Sequence, residues 1–261
     1  AWIGAVPPIQ VHHLVEGPPD APALVLANSL GSTLAMWEPQ IERLAAELRV
    51  VRFDLRGHGR SPVPPGPYTL AELADDVVAL LDRLEIPRAH VAGVSLGGMI
   101  AMRLGIDAPD RVDRLVLCCT SARLGPPSMW EDRIRTVRER GTEALADAVV
   151  ARWFTPAWAA AHPDRVRRLR EMIATTPDEG YAGCCAAIRD MDLEPELGRI
   201  SAPTLVIAGA DDPATPPDHG ARIAAGIPGA RMAVVPDSAH LANIEQADEV
   251  TTRILDHLRV A

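Results

Sequence analysis

The chain contains no lysine, few cysteines and no long apolar run. All 26 of its basic residues are arginines, and 35 acidic residues bring the formal charge to −9. The field of an acidic protein repels nucleic acids and anionic membranes, so we expect neither as a partner. Arginine alone as the permanent cation suits two-pronged recognition of carboxylates, and it can equally reflect the composition of a genome.

Signals for export or membrane insertion are also absent. The first residues lack the basic, apolar and small-residue order of a secretory signal, and no apolar run reaches the ~18 residues of a membrane span. A chain of 261 residues that is 48% hydrophobic can bury one large core. We therefore expect a globular cytoplasmic protein.

The four cysteines form two adjacent pairs, Cys118–Cys119 and Cys184–Cys185. Adjacent cysteines have neither the spacing of metal ligands nor an easy bridge to each other. The pattern predicts buried, reduced thiols, with no disulfide framework and no metal site.

Short apolar runs alternate with segments of helical periodicity. A helix is predicted after Thr69, which can cap it together with Glu72. This alternation predicts an α/β fold with a mostly parallel sheet and helices on both faces. The predicted strands are 10–16, 23–27, 50–53, 89–92, 112–119, 203–208 and 232–235, and the last two helices are about 217–225 and 244–258.

The stretch 122–199 has a different character. It shows no strand pattern, and prolines separate its Arg-, Glu- and Ala-rich helical segments. An insertion of roughly 75 helical residues between two strands predicts a cap over an active site. The expected organisation is a core formed by 1–121 and 200–261, with a helical cap at 122–199.

Ser95 lies at the centre of a strand, sharp turn and helix. The turn reads Gly93-Val94-Ser95-Leu96-Gly97, the Gly-x-Ser-x-Gly pattern of a nucleophile elbow. The pattern alone also occurs in ordinary turns, but the flanking strand and helix favour a catalytic serine. A serine nucleophile needs a histidine base, an acid and oxyanion donors.

His240 and Asp212 are the predicted base and acid. Ligands collect beyond the carboxyl ends of parallel strands, and both residues follow late strands. Asp211 is the alternative acid, and His58, in a Gly-rich loop, is the competing base. The order Ser95, Asp212, His240 is that of the hydrolase fold. The remaining candidates His162, His219 and His257 are predicted to be solvated on helix surfaces.

The backbone N–H groups of Leu30 and Leu96 are the predicted oxyanion donors. Leu96 begins the helix after the turn, and Leu30 lies in the loop after an early strand. Each such donor typically stabilises the transition state by ~3 kcal/mol. A plain turn at Leu30 is the alternative.

A resemblance to a known family is carried by the stretches 26–31, 36–37, 39–40, 54–59, 64–69, 152–156, 180–185 and 239–246. Over nearly its whole length the chain resembles the α/β-hydrolase superfamily, and within it the 3-oxoadipate enol-lactonases. Asn28-Ser29 stands where many hydrolases have His-Gly, as in the lactonases. The cap segments favour this narrower assignment because caps vary with substrate.

The resemblance implies hydrolysis of a small lactone that carries a carboxylate, without metal or organic cofactor. The cap offers Arg133, one turn after Trp130, as the partner of that carboxylate, and a solvated helix face is the alternative. Arg123, Arg152 and Arg189 are alternative partners, and Trp153 is predicted to be cap core. The rival functions are a broad carboxylesterase or perhydrolase and a non-catalytic receptor.

Overall fold

The computed structural model describes residues 6–259. The centre of the fold is a sheet of seven strands. The strands are β1 (His13–Glu16), β2 (Ala23–Ala27), β3 (Arg49–Phe53), β4 (Ala89–Val94), β5 (Val112–Cys118), β6 (Thr204–Gly209) and β7 (Arg231–Val235).

The sheet is mostly parallel, as predicted. Its order is β1-β3-β2-β4-β5-β6-β7, and only β1 runs antiparallel to its neighbour. Every residue of β4 and β6 is buried. Successive side chains of a strand point to opposite faces, so helices must cover both faces of the sheet.

The helices fall into two groups along the chain. Five α-helices lie between β5 and β6, and the others flank the sheet. The α-helices of the described part are α1 (Glu38–Ala45), α2 (Leu70–Arg83), α3 (Leu96–Asp107), α4 (Pro127–Arg140), α5 (Glu143–Val150), α6 (Pro156–Ala161), α7 (Pro163–Ala174), α8 (Asp178–Asp190), α9 (Pro217–Gly226), α10 (Ala242–Glu245) and α11 (Ala247–Arg259).

The start of α2 shows how local sequence sets an element. Thr69 Oγ1 accepts the Glu72 N–H at 3.2 Å, and the Glu72 carboxylate accepts the Thr69 N–H at 2.8 Å. This reciprocal pair satisfies two of the N–H groups that lack partners at a helix start. The predicted cap residue of this helix is therefore confirmed.

We refer to α4–α8 as the cap helices. α4 packs against α8, and α5 packs against α7. α8 also lies directly on the core, because Gly180 contacts Gly57 backbone to backbone, and a Cβ at either position would overlap the other residue. Gly183 makes the same close approach to the ring of Tyr68. These glycines let α8 form the seam between cap and core.

Two predicted elements differ from the structure. β1 begins at His13, three residues later than expected, because the His12 N–H donates to Ser61 Oγ at 2.9 Å, outside the strand ladder. The closing helix is broken at Gln246, whose side-chain amide donates to the Asp237 carbonyl at 2.9 Å.

The predicted burial of the cysteines is confirmed. All four are buried and unpaired. Burial raises the pKa of Cys185 to about 12, so this thiol stays protonated and packs as a small apolar group. Across residues 6–259, every helix is too short or too polar to cross a lipid bilayer.

Candidate active site

Ser95 occupies a strained turn between β4 and α3. Its φ of 55° and ψ of −116° lie outside the regions that non-glycine residues favour. A Cβ on Gly97 would overlap the Ala27 carbonyl, and one on Gly93 would overlap Gly97. The glycines of the motif thus permit the tight crossing of strand and helix, and Thr120 Oγ1 fixes the turn by donating to the Ser95 carbonyl at 2.6 Å.

The two predicted oxyanion donors lie on either side of this turn. Leu96 is the first residue of α3, so its N–H has no acceptor within the helix. Leu30 follows β2 in a loop held by Asn28, whose side-chain amide donates to the Phe53 carbonyl at 2.7 Å. Leu30 and Ser95 line the same cavity. The observed placement is compatible with the predicted role.

Asp212 and His240 form a buried pair. His240 Nδ1 lies 2.8 Å from Asp212 Oδ2. Because a carboxylate only accepts, Nδ1 carries the proton, and Nε2 is left as a base. His240 lines the cavity together with Ser95.

Three further donors hold the Asp212 carboxylate. Oδ1 accepts the N–H groups of Ala214 and Thr215 at 2.8 and 3.0 Å, and Oδ2 accepts the Thr215 hydroxyl at 2.8 Å. Burial alone would raise the pKa of Asp212, but His240 and the Thr215 donors outweigh burial and lower it. The acid therefore stays ionised opposite His240.

The competing acid and base lie elsewhere. Asp211 is exposed to solvent, and its N–H donates to the Ser238 carbonyl at 2.9 Å. His58 is fully buried behind the loop that carries Leu30, where Nε2 accepts the Gly31 N–H at 3.0 Å. Asp212 and His240 are the candidate acid and base that meet at hydrogen-bonding distance.

The cavity above Ser95 has a volume of about 290 Å³, close to the lower limit of small-ligand pockets, about 300 Å³. Loops of the core form its floor, and the cap helices form much of its wall. Two arginines, Arg133 and Arg152, line it, whereas no Asp or Glu of the described residues does. The cavity is therefore locally cationic in an acidic protein.

No carboxylate lies within ion-pairing distance of Arg133 or Arg152 among the described residues, although the more distant Asp212 attracts Arg152. Burial and repulsion from Arg133 lower the pKa of Arg152, which places the two guanidinium groups near each other. The two other candidate cations lie outside this cavity. Arg123 is 3.7 Å from Asp192, and Arg189 is 2.7 Å from Asp190.

Trp130 and Trp153 both line the cavity and are buried. The Trp130 ring supports Arg133, whose guanidinium carbon lies 4.7 Å from the ring centroid. The Trp130 indole N–H donates to the Leu124 carbonyl at 2.7 Å. The indole N–H of Trp130 is therefore already paired within the protein.

His219 and His257 are more buried than the predicted solvated positions on helix surfaces. His257 is 2% exposed, and its Nε2 donates to the Pro203 carbonyl at 3.2 Å. His219 is half-buried and lines the cavity. The Ser121 hydroxyl donates to the Arg123 carbonyl at 2.5 Å, so His219 Nδ1 must donate to Ser121 Oγ at 2.8 Å. This leaves Nε2 of a neutral imidazole as an acceptor.

Metal-binding geometry is not found in the described part of the chain, where no three His, Cys, Asp or Glu side chains are grouped so as to hold an ion. The chemistry that the site residues can perform themselves is acyl transfer through Ser95.

The family described as alpha/beta hydrolase fold matches residues 22–247. The chain is similar to 3-oxoadipate enol-lactonase 2 of Acinetobacter baylyi, with 39% identity over 91% of this chain and 89% of the relative. Among solved structures it is similar to the enol-lactonase of Burkholderia xenovorans LB400, with 42% identity, a TM-score of 0.94 and 96% of each chain covered. A malate-bound thermophilic esterase from Thermogutta terrifontis has 31% identity and a TM-score of 0.92, over 99% of this chain and 97% of the esterase. The chain belongs to the alpha/beta hydrolase fold family.

Proposed function

We propose that this chain is a serine hydrolase that opens 3-oxoadipate enol-lactone to 3-oxoadipate. The observation that carries the proposal is the cavity above Ser95, which two arginines without carboxylate partners line and no acidic side chain does. A small lactone bearing one carboxylate matches the charge and the size of this cavity. The similarity to the Acinetobacter and Burkholderia enol-lactonases supports the same substrate.

The proposed reaction begins with attack of Ser95 Oγ on the lactone carbonyl. His240 Nε2 takes the hydroxyl proton, and Asp212 stabilises the imidazolium that forms. The N–H groups of Leu30 and Leu96 hold the oxyanion of the tetrahedral intermediate.

Collapse of this intermediate breaks the ring C–O bond. His240 returns its proton to the departing enol oxygen, which stays tethered to the acyl-enzyme because the leaving group and the acyl group belong to one ring. Water, activated by His240, then releases the acyl group from Ser95, and the enol tautomerises to the ketone.

The cap helices are proposed to select the substrate. Arg133, steadied by the Trp130 ring, and Arg152 pair with the substrate carboxylate. Guanidinium groups suit this task because their fork of N–H donors matches the two oxygens of a carboxylate.

Steady-state kinetics test the proposal. The enol-lactone should be turned over with a higher kcat/KM than 4-nitrophenyl acetate, a neutral ester of similar size. Ser95→Ala should abolish both activities with an unchanged circular dichroism spectrum, whereas Ser29→Ala, a second serine of the cavity, should keep most of both. Retained turnover in Ser95→Ala contradicts the mechanism.

A second candidate function is broad carboxylester hydrolysis, which the similarity to the Thermogutta esterase favours. It uses the same nucleophile and base. Efficient turnover of aryl esters with no turnover of the lactone would replace the first proposal with this one.

A further inference from the structure

Tyr181 joins the cap helices to the loop that carries Leu30. It lies on α8, is fully buried and lines the cavity above Ser95. Its ring packs against the loop that carries Leu30, because a Cβ on Gly31 would lie 3.0 Å from Tyr181 Cε2. The close approach of Gly180 to Gly57 fixes α8 on the core next to this contact. The Tyr181 ring is therefore held rigidly between cap and core.

The O–H group of Tyr181 has no hydrogen-bond acceptor within residues 6–259. Arg133 lies beside the hydroxyl oxygen and lowers the pKa of Tyr181, but a guanidinium can only donate, so Arg133 gives the O–H group no acceptor. The only other tyrosine of the chain, Tyr68, is also buried, but its hydroxyl donates to the Pro64 carbonyl at 2.6 Å. Buried hydroxyls normally have an acceptor, so the missing acceptor in a residue that lines the cavity indicates a partner that arrives with a ligand.

The surroundings of this hydroxyl determine which partner it can take. Burial raises the pKa of Tyr181 to about 12, although Arg133 and Arg152 oppose that rise. The group is therefore a protonated donor at neutral pH. Two guanidinium groups nearby repel cations and attract anions, so an anionic oxygen is the acceptor that all three groups favour together.

We propose that the Tyr181 hydroxyl is a substrate-binding donor that completes an anion subsite with Arg133 and Arg152. It donates to the carboxylate of the substrate, while its ring holds the Leu30 loop at a fixed position relative to that subsite. The residue thereby couples recognition of the carboxylate to placement of the lactone carbonyl at Ser95. This inference rests on the proposed function, because it takes the substrate to be a carboxylate.

Tyr181→Phe tests the role of the hydroxyl, because it removes one oxygen and leaves the ring on Gly31. We expect KM for the enol-lactone to rise about tenfold or more, as for loss of one hydrogen bond to a charged group. The kcat/KM for 4-nitrophenyl acetate should stay within about twofold, since that ester has no carboxylate. Equal losses on both substrates, or no loss on either, overturn the proposal.

Tyr68→Phe is the matched control. It also deletes a buried hydroxyl, but one that donates to Pro64 away from the cavity lining. We expect it to lower thermal stability and to leave the ratio of lactone to aryl-ester activity unchanged. The same change of ratio in both variants would identify a general structural effect and overturn the specific role of Tyr181.

Binding of adipate, an unreactive six-carbon dicarboxylate, separates this inference from the proposed function. Protein labelled with 3-fluorotyrosine carries two ¹⁹F probes, which Tyr68→Phe assigns. We expect adipate to shift the Tyr181 signal saturably and the Tyr68 signal little, and unlabelled Tyr181→Phe to bind adipate about tenfold more weakly by calorimetry.

Adipate affinity that is equal with and without the hydroxyl, or no saturable binding, overturns the role of Tyr181 even if the lactone is hydrolysed. Adipate binding through Tyr181 in an enzyme that does not turn over the lactone supports the anion subsite and contradicts the proposed substrate.

Discussion

His58 and Gly31 join the Gly-rich loop after β3 to the loop that carries Leu30. His58 Nε2 accepts the Gly31 N–H at 3.0 Å, and Nδ1 donates to the Arg56 carbonyl at 3.1 Å. One ring nitrogen accepts and the other donates, so this fully buried imidazole must be neutral. The histidine that competes with His240 in the sequence instead fixes the loop that presents the Leu30 N–H.

The neutrality of His58 predicts a loss of stability in acid. Burial lowers the pKa of His58 from 6.5 to about 4. Between these values the unfolded chain binds a proton that the native state excludes, so stability falls as pH falls through this window. The contribution of His58 to this loss is about 3 kcal/mol, at about 1.4 kcal/mol per pH unit.

Urea unfolding at pH 7.5, 6.0 and 4.5 measures this effect. His58→Gln should be less stable than the parent at pH 7.5. The difference in unfolding free energy between the two proteins should become smaller as the pH falls, because the variant has no buried imidazole to protonate. His13→Gln, at a partly exposed position of edge strand β1, is the control for replacing an imidazole by an amide. A difference in unfolding free energy that stays constant with pH would contradict the assignment of His58 as a buried neutral imidazole.

Glu245 links the cap to the loop that carries His240. One carboxylate oxygen accepts the Thr155 N–H at 3.0 Å and also its hydroxyl, and the other accepts the Ala239 N–H at 2.8 Å. In Glu245→Gln, an amide NH₂ must face at least one of these N–H groups. We expect a loss of about 1–3 kcal/mol in unfolding free energy and a lower kcat for lactone and aryl ester alike.

Glu249→Gln is the control for Glu245→Gln. Glu249 pairs with Arg253 on the surface of α11, where an ion pair contributes about 0–1 kcal/mol. Thermal unfolding and kcat, measured together, test the pair of variants. Full activity and stability in Glu245→Gln would show that the hydrogen bonds of Glu245 to Thr155 and Ala239 do not hold the loop that carries His240.

The sequence predicts the sheet well because its signals are local. A buried strand reads as a short apolar run, and the capping pair of Thr69 and Glu72 lies within four residues. The prediction fails where contacts between residues far apart in the sequence determine where a strand begins. The His12 N–H takes Ser61 Oγ, 49 positions away in the chain, and β1 is therefore shorter than expected.

The same limit applies to the candidate site. The motif around Ser95 and the loops after late strands mark the groups that the structure brings together. His219 carries no such signal, because its place on the cavity wall depends on Ser121, 98 positions away. In the sequence, Tyr181 is marked only by its place in the resembling stretch 180–185. That its hydroxyl lacks an acceptor is visible only in the folded structure, where α8 packs against Gly31 and Gly57.

The two cavity arginines predict a difference between charged and neutral substrates. Arg133→Ala and Arg152→Ala should each raise KM for the enol-lactone by about 10- to 100-fold, the range for losing a hydrogen-bonded charge partner. Turnover of 4-nitrophenyl acetate should change little. Arg123→Ala, which removes an exposed guanidinium paired with Asp192, should match the parent on both substrates.

The double variant Arg133→Ala/Arg152→Ala tests whether the two arginines act together. If both bind one carboxylate, the combined loss should differ from the product of the single losses. Equal losses on lactone and aryl ester in the single variants would indicate damage to the cap and contradict carboxylate recognition.

Asp212→Asn should disable His240 by reversing its tautomer. The N–H groups of Ala214 and Thr215 donate to Oδ1 of Asp212, so the amide oxygen of the variant keeps that position and its NH₂ must face His240 Nδ1. Nδ1 then becomes the acceptor, Nε2 carries the proton, and the nucleophile loses its base, so kcat should fall about 10³- to 10⁴-fold. Asp211→Asn, one position earlier and exposed, should keep the parent kcat. Steady-state kinetics of both variants decide between the neighbours, because a large loss in Asp211→Asn with activity retained in Asp212→Asn would assign the acid to the exposed residue.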